Sequence, residues 1–294
     1  MSAILSNSEK AFLVVGATSN IGAGVAKGLK KTGSNVTALV RSEEKGKPFK
    51  DEGINIAVGD LSEPATLASA FKGIDASFIL TPPNDLAPSL FSNAIWAAKQ
   101  AGVKHVVRLS AVKAAHDAPT INSRFHALSD SELIASGTTY TIIKAHFFMQ
   151  NLLMAADTIK SEGKIYMPLS DGKLGLIDSR DIATFAVKVL TEQGHENKTY
   201  TITGPESLSM KEVASSLSKV VGKNVEYVPV PIDVAIENMR QAGLDNFTLN
   251  ILHDYFVQYS KNWGDFVTSD YKDVVGTDST SIEKYFEDNK QVFE

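Results

Sequence analysis

The chain of 294 residues contains no cysteine, and that absence closes several routes at once. It excludes a disulfide framework, thiolate zinc sites, cysteine-ligated iron–sulfur clusters and thiol nucleophiles. Long apolar runs are also missing. Phe12–Val15 is representative and falls far short of the ~20 residues that a membrane span needs. Basic charge is not in excess either: 29 Lys and Arg stand against 34 Asp and Glu, for a net charge of −5. A general nucleic-acid-binding surface is therefore not expected. No H-E-x-x-H or comparable ligand cluster occurs, so no metal site is expected. Met1–Lys10 is polar and lacks the basic and apolar segments of a secretory signal, so the expected location is cytoplasmic. In that setting the Asn-x-Thr triplets at Asn35, Asn197 and Asn246 carry no glycosylation meaning.

What is present is an alternation. Apolar, β-branched runs at Ala11–Val15, Asn35–Val40, Ile54–Val58, Ala76–Leu80, His105–Leu109 and Thr139–Ile143 read as strands. Helical patterns separate them at Ile21–Lys31, Pro64–Phe71, Leu86–Ala101 and Asn122–Ser136. Strands that are apolar on both faces belong to a covered parallel sheet. The expected fold is α/β, a Rossmann-type doubly wound parallel sheet. Beyond residue 150 the pattern loosens, with helical stretches at Asn151–Lys160, Asp181–Leu190 and Ser209–Val221 and a seventh strand at Tyr200–Thr203. The expected division is a dinucleotide-binding domain over 1–158, rejoined by about 177–205, and a smaller irregular C-terminal substrate-binding domain over 206–294. The aromatics of that region, such as Tyr255, Tyr259 and Trp263, fall partly at i, i+4 spacing, which reads as an ordinary packing face or else as a lid over a ligand.

Gly16-Ala17-Thr18-Ser19-Asn20-Ile21-Gly22 follows the first strand and opens the first helix. Gly16 suits the tight turn, Ser19 takes the place of a middle glycine, and Gly22 allows helix and strand to pack closely. Amide groups at such a helix start hold a pyrophosphate. The second strand ends in Arg41, one of five arginines, where an NAD site carries an acidic residue for the ribose 2′-hydroxyl. A guanidinium there suits a 2′-phosphate, so NADP(H) is the expected cofactor.

These residues, together with Val58-Gly59-Asp60-Leu61, Ala101–Val107, Gly137–Thr141, Asp178–Ala183 and Thr203-Gly204-Pro205-Glu206, resemble the NmrA-like branch of atypical short-chain dehydrogenases. The resemblance covers most of residues 11–230 and runs closest to flavin-free quinone reductases, azoreductase-like proteins and triphenylmethane dye reductases. It implies that Gly16, Thr18, Ser19, Asn20 and Ile21 wrap the pyrophosphate, that Asp60 and Leu61 flank the adenine, and that Thr81 and Pro82 line the path to the nicotinamide. It makes Ser110, near the reacting ring, and Lys144, where many relatives carry arginine, catalytic candidates, with Lys144 also a cofactor contact. His146, Phe147 and Phe148 follow in the substrate region, and Val275–Gln291 corresponds to the terminal helix.

Better-known short-chain dehydrogenases use Tyr-x-x-x-Lys on a helix, and Tyr140–Lys144 matches by letter. Its β-branched content makes it a strand, on which four residues separate the groups by about 13 Å instead of roughly 6 Å. It is rejected as a catalytic dyad. On the preceding helix, His126 aligns with a histidine or lysine of relatives, and Asp130 lies one turn on, spaced to orient the imidazole. His126 is thus a candidate proton donor or substrate anchor, or else a solvated helix histidine. His116, in the loop after the fifth strand, is a candidate substrate contact, while His105 is expected to be structural.

Three functions remain open on the sequence. One is an NADPH-dependent reductase passing hydride to a planar, electron-poor acceptor such as a quinone, an azo or triphenylmethane dye, or an enone. Another is an NADP(H)-sensing regulator of the NmrA type. The third is a biosynthetic reductase or isomerase acting on one natural product. The expected partner is a small planar molecule, without nucleic acid or membrane, and a homodimer is common for such a fold.

Overall fold

The computed structural model describes residues 9–294; the polar stretch Ser6–Ser8 lies outside the described residues. Nine strands and seven helices carry the chain to residue 202. They are β1 (Ala11–Val15), α1 (Asn20–Lys31), β2 (Asn35–Val40), α2 (Glu43–Asp51), β3 (Asn55–Val58), α3 (Leu67–Phe71) and β4 (Ala76–Ile79), then α4 (Ala87–Gln100), β5 (His105–Ala111), α5 (Ile121–Ala135), β6 (Thr139–Ala145), α6 (Ala156–Glu162), β7 (Lys164–Met167), β8 (Lys173–Leu174), α7 (Ser179–Thr191) and β9 (Lys198–Ile202). The remainder comprises β10 (Leu208–Ser209), α8 (Met210–Val221), β11 (Glu226–Pro229), α9 (Ile232–Gln241), α10 (Asn246–Tyr259), α11 (Asp270–Val275), α12 (Ile282–Asp288) and α13 (Lys290–Phe293).

Seven strands form one sheet in the order β3-β2-β1-β4-β5-β6-β9. β1 runs parallel to both β2 and β4, pairing Phe12 with Val36 and with Ala76. The order reverses about β1, the doubly wound arrangement in which ligands bind beyond the carboxyl ends of the strands. Phe12, Leu13 and Val14 are wholly buried, as strands covered on both faces must be. One face carries a core of Leu13, Val15, Ile79, Val106 and Ile142 against Phe71, Phe91, Ile95 and Leu133.

The chain divides into two compact units. The first holds the stretch up to His116, then Phe125–Lys144 and Ile182–Tyr200; the second holds Asp117–Arg124, Ala145–Asp181 and Thr201–Glu294. The second unit thus takes up 117–124 and 145–158, and the margins 177–181 and 201–205, which the sequence-based division assigns to the first domain. Its core gathers Met149, Leu152, Leu169, Leu174, Met210, Leu217, Phe256, Tyr259, Tyr285 and Phe286. Two small sheets serve it, β7 with β11 in parallel and β8 with β10 antiparallel.

Two local expectations need correction. Between β2 and β3 the sequence pattern gives no helix. The structure has α2 there, started by Ser42, whose hydroxyl accepts from Lys45 N at 3.3 Å. The expected single helix over 275–291 is broken as well. Gly276 takes a left-handed conformation with φ of 91° at the end of α11, and extended Ser281 then caps α12.

Candidate functional site

The β1–α1 turn shows why its glycines are required. Gly16 has φ of +80°, and a Cβ there would lie 2.5 Å from the carbonyl oxygen of Leu80. At Gly22 a Cβ would lie 2.1 Å from the carbonyl of Gly16. Any larger residue would push the helix start off the strand end. Ser19 caps α1: its hydroxyl accepts from Gly22 N at 3.0 Å and donates to Gly16 O at 2.8 Å. Its side chain therefore shapes the turn. The amides of Asn20 and Ile21, by contrast, have no hydrogen-bond partner among the described residues. Thr18 and Asn20 are exposed beside them. Open amides at the positive end of a helix of 12 residues suit a phosphate group.

α1 is seated by two further glycines. A Cβ at Gly24 would lie 2.8 Å from Cβ of Ala183, and one at Gly28 would lie 2.7 Å from Val187, both on α7. At the end of β2 the guanidinium of Arg41 is exposed. Asp60, after β3, accepts from Ser62 N and Ser62 Oγ, both at 2.8 Å. Those bonds, with the nearby Arg41 charge adding to them, hold its carboxyl below the usual range. Asn93 of α4 donates to Leu61 O at 2.7 Å and fixes the loop that follows. Thr81 is buried just past β4, and Pro82 beside it is exposed.

A polar cluster lies where β5 faces α4 and α5. Arg108 is 1% exposed, a charged residue within the apolar run Val106-Val107-Arg108-Leu109. Its Nε donates to Asp130 Oδ1 at 2.7 Å, and its guanidinium lies 4.0 Å from the ring centre of Phe91. Ser110, two residues along the same strand and on the same face, donates to Asp130 Oδ2 at 2.8 Å. Arg108 Nη2 lies 3.2 Å from Nδ1 of His126, and Arg108 Nη1 has no partner. Burial, with Arg108 and Lys144 nearby, pushes the His126 imidazole down to about 3.

This arrangement corrects one expectation. The carboxylate of Asp130 does not orient His126, despite the one-turn spacing. It holds Arg108 and Ser110, and the guanidinium stands between carboxylate and imidazole. Arg108 is the residue that sequence reading passed over. The available signal was an arginine inside a buried strand, which demands a buried anion.

Tyr140 and Lys144 both lie in β6, on a strand as expected. Lys144 Nζ donates to Ala114 O at 2.8 Å, tying down the loop after β5. His116 is exposed, with Nε2 2.8 Å from Ser131 Oγ on α5. His105 pairs through Nε2 with Thr141 Oγ1 at 2.9 Å, and burial first of all pushes it down to about 4. Thr141 donates its own proton to His195 O, so His105 must be the donor of that pair.

His146, Phe147 and Phe148 belong to the second unit. His146 is 2% exposed; its Nδ1 accepts from Phe147 N at 2.7 Å and its Nε2 donates to Gly264 O at 3.0 Å. Both ring nitrogens are thus committed to the backbone, which makes it a clamp between its own strand end and Gly264. Its ring stacks near Tyr259, with 6.1 Å between centres, and Tyr259 stacks on Tyr255 at 5.3 Å. Phe147 meets Tyr259 edge-on at 5.9 Å. Phe148 bridges to Ile177. Among the described residues no group of acidic and histidine side chains could hold a metal, and no helix is long and apolar enough to cross a membrane.

The NmrA-like family matches residues 8–285. An NAD(P)H azoreductase of Xenophilus azovorans is 39% identical over 244 residues, covering 83% of this chain and 85% of that protein. An NADPH-dependent quinone oxidoreductase of Escherichia coli, solved with NADPH, superposes with a TM-score of 0.87 at 26% identity, covering 96% of this chain and 100% of that one. The triphenylmethane reductase of Citrobacter sp. in complex with NADP(H) gives 0.86 at 26% identity over 96% and 99% of the two chains. The chain belongs to the NmrA-like family, and its seven-stranded sheet is the dinucleotide-binding fold of that family's reductases.

Proposed function

We propose that this chain is an NADPH-dependent reductase that delivers hydride to an electron-poor conjugated or aromatic acceptor, such as a quinone or a dye. The observation that carries the reading is the open amide pair of Asn20 and Ile21 in a chain whose second strand ends in Arg41. The donor set fits the cofactor: uncommitted amides and a helix start for the pyrophosphate, an exposed guanidinium for the 2′-phosphate. Gly16, Thr18, Asn20, Ile21 and Gly22 would form the cradle, with Arg41, Asp60, Leu61, Thr81 and Pro82 along its length. NADPH supplies the hydride when bound, and the protein supplies position and electrostatics. His126 is a donor toward the acceptor, Lys144 a fixed positive charge near it, and Ser110 part of the frame that holds Asp130 and, through it, Arg108. Acceptors of this class need little protein acid, because adding hydride leaves a delocalised anion or, from a cationic dye, a neutral product. The azoreductase and quinone reductase relatives support the acceptor class.

NADPH oxidation measured against quinones, azo dyes, triphenylmethane dyes and enones tests the reading. Turnover with at least one class is expected; tight NADPH binding with no turnover on any would overturn it in favour of a sensor. For the cofactor, Arg41→Ala is expected to raise the Kd of NADPH roughly 10- to 100-fold, the range for losing a charge-assisted contact. NADH binding should change little. Isothermal titration with both nucleotides measures this, and equal losses would contradict the role of Arg41. A small planar acceptor as partner, a homodimer and a cytoplasmic location complete the reading, the dimer being open to sedimentation analysis.

A further inference from the structure

The buried cluster around Arg108 defines the chemical state of His126. A guanidinium has only N–H donors and does not lose its proton in proteins. An imidazole nitrogen facing Arg108 Nη2 at 3.2 Å must therefore be the acceptor. Nδ1 is then bare, and a neutral ring carries its one proton on Nε2. Nε2 has no partner among the described residues. Protonating Nδ1 would aim one cationic N–H at another.

Each surrounding element works in the same direction. From β5, Arg108 presents its charge, and Ser110 and Asp130 hold it in place. From β6, Lys144 adds a second positive charge. From α4, Phe91 blocks one face of the guanidinium, while Ser92 donates to Glu132 at 2.6 Å. On α5 itself, the nearest carboxylate is Asp130, and both of its oxygens are already occupied. Among the described residues no anion is a cause of the His126 shift.

We propose that Arg108 and Asp130 are positioning residues: together they fix His126 as a neutral ring protonated on Nε2, a hydrogen-bond donor to the acceptor that does not titrate under working conditions. Its catalytic consequence rests on the reductase reading above. A neutral acceptor such as a quinone or an azo compound that gains hydride carries a new electron pair, with negative charge on an oxygen or nitrogen. Nε2–H donates a hydrogen bond to that atom and keeps its proton. The proton that completes the reduction comes from water. A preorganised donor aimed where charge develops acts without reorganising during the reaction. The sequence-level expectation of His126 as proton donor thus becomes one of His126 as hydrogen-bond donor.

Nitrogen NMR of histidine-labelled protein reads the tautomer directly, with no cofactor or acceptor needed. The expected spectrum has His126 Nδ1 unprotonated and Nε2 protonated, unchanged across pH 5 to 8, where a free histidine titrates. A protonated Nδ1, or a titration near the ordinary 6.5, would overturn the proposal. The double variant R108M/D130L removes both charges and leaves no lone buried ion. In it the His126 titration should rise toward the ordinary value, and kcat should fall about tenfold, the loss of one well-placed hydrogen bond, with KM for the acceptor nearly constant. R108K, which keeps the charge but not the fork, should fall between wild type and double variant. A double variant with wild-type kcat and a flat pH profile would overturn the positioning role. If the wild type reduces no acceptor, the reductase reading fails on that result alone, and the tautomer is still decided by the spectrum.

Discussion

Asp130→Ala is expected to cost about 3–5 kcal/mol of folding stability, the penalty for stranding one member of a buried ion pair. The carboxylate is the anion that Arg108 touches, and the guanidinium lies 1% exposed against Phe91. Removing it also takes the acceptor from Ser110. R108M/D130L should recover part of that loss, because two apolar residues replace the pair without an orphaned charge. Urea unfolding followed by circular dichroism measures both. A single-variant loss under about 1 kcal/mol, the scale of an exposed pair, would contradict the buried geometry.

Mild acid is expected to unfold the protein through two histidines. His126 and His105 are held to about 3 and about 4 by burial, with Arg108 and Lys144 assisting at the first. In the unfolded chain both recover an ordinary value of about 6.5. Below that pH the unfolded state binds protons that the folded state refuses, so stability falls as pH falls and levels off only below the folded values. At pH 5 each ring accounts for about 2 kcal/mol, and the two together about 4 kcal/mol. Thermal unfolding of the wild type and of H105Q/H126Q between pH 7 and pH 5 isolates this contribution. A wild type that keeps its stability down to pH 5 would rule it out.

The sheet was legible because its strands obey the simplest rule in the sequence. A run such as Phe12-Leu13-Val14-Val15 is apolar on both faces and ends at the Gly16 turn, so burial on both sides is the one way to satisfy it. The phosphate turn was legible for a similar reason, since Gly16 and Gly22 meet backbone atoms that leave no space for a Cβ. α2 was hidden by Pro48, which local rules treat as a stop although the helix tolerates it on an exposed face. The partner of His126 was hidden for a deeper reason. Helical spacing placed Asp130 beside it, but spacing within one helix cannot show that Arg108, on a neighbouring strand, takes the carboxylate first. The role of His146 was likewise set by Gly264, 118 residues away.

The seam between α1 and α7 has a consequence for how the protein is made. Gly24 and Gly28 emerge early in synthesis, but the residues that close over them, Ala183 and Val187, belong to the last return of the chain into the first unit. They arrive roughly 150 residues later, some 10 to 30 seconds behind at ordinary translation speeds. Until then the helix that carries the phosphate turn has one flank bare. A gene fragment ending after β6 would therefore yield no free-standing nucleotide-binding module, and the nascent chain must wait for α7 before its first glycine turn is backed on both sides.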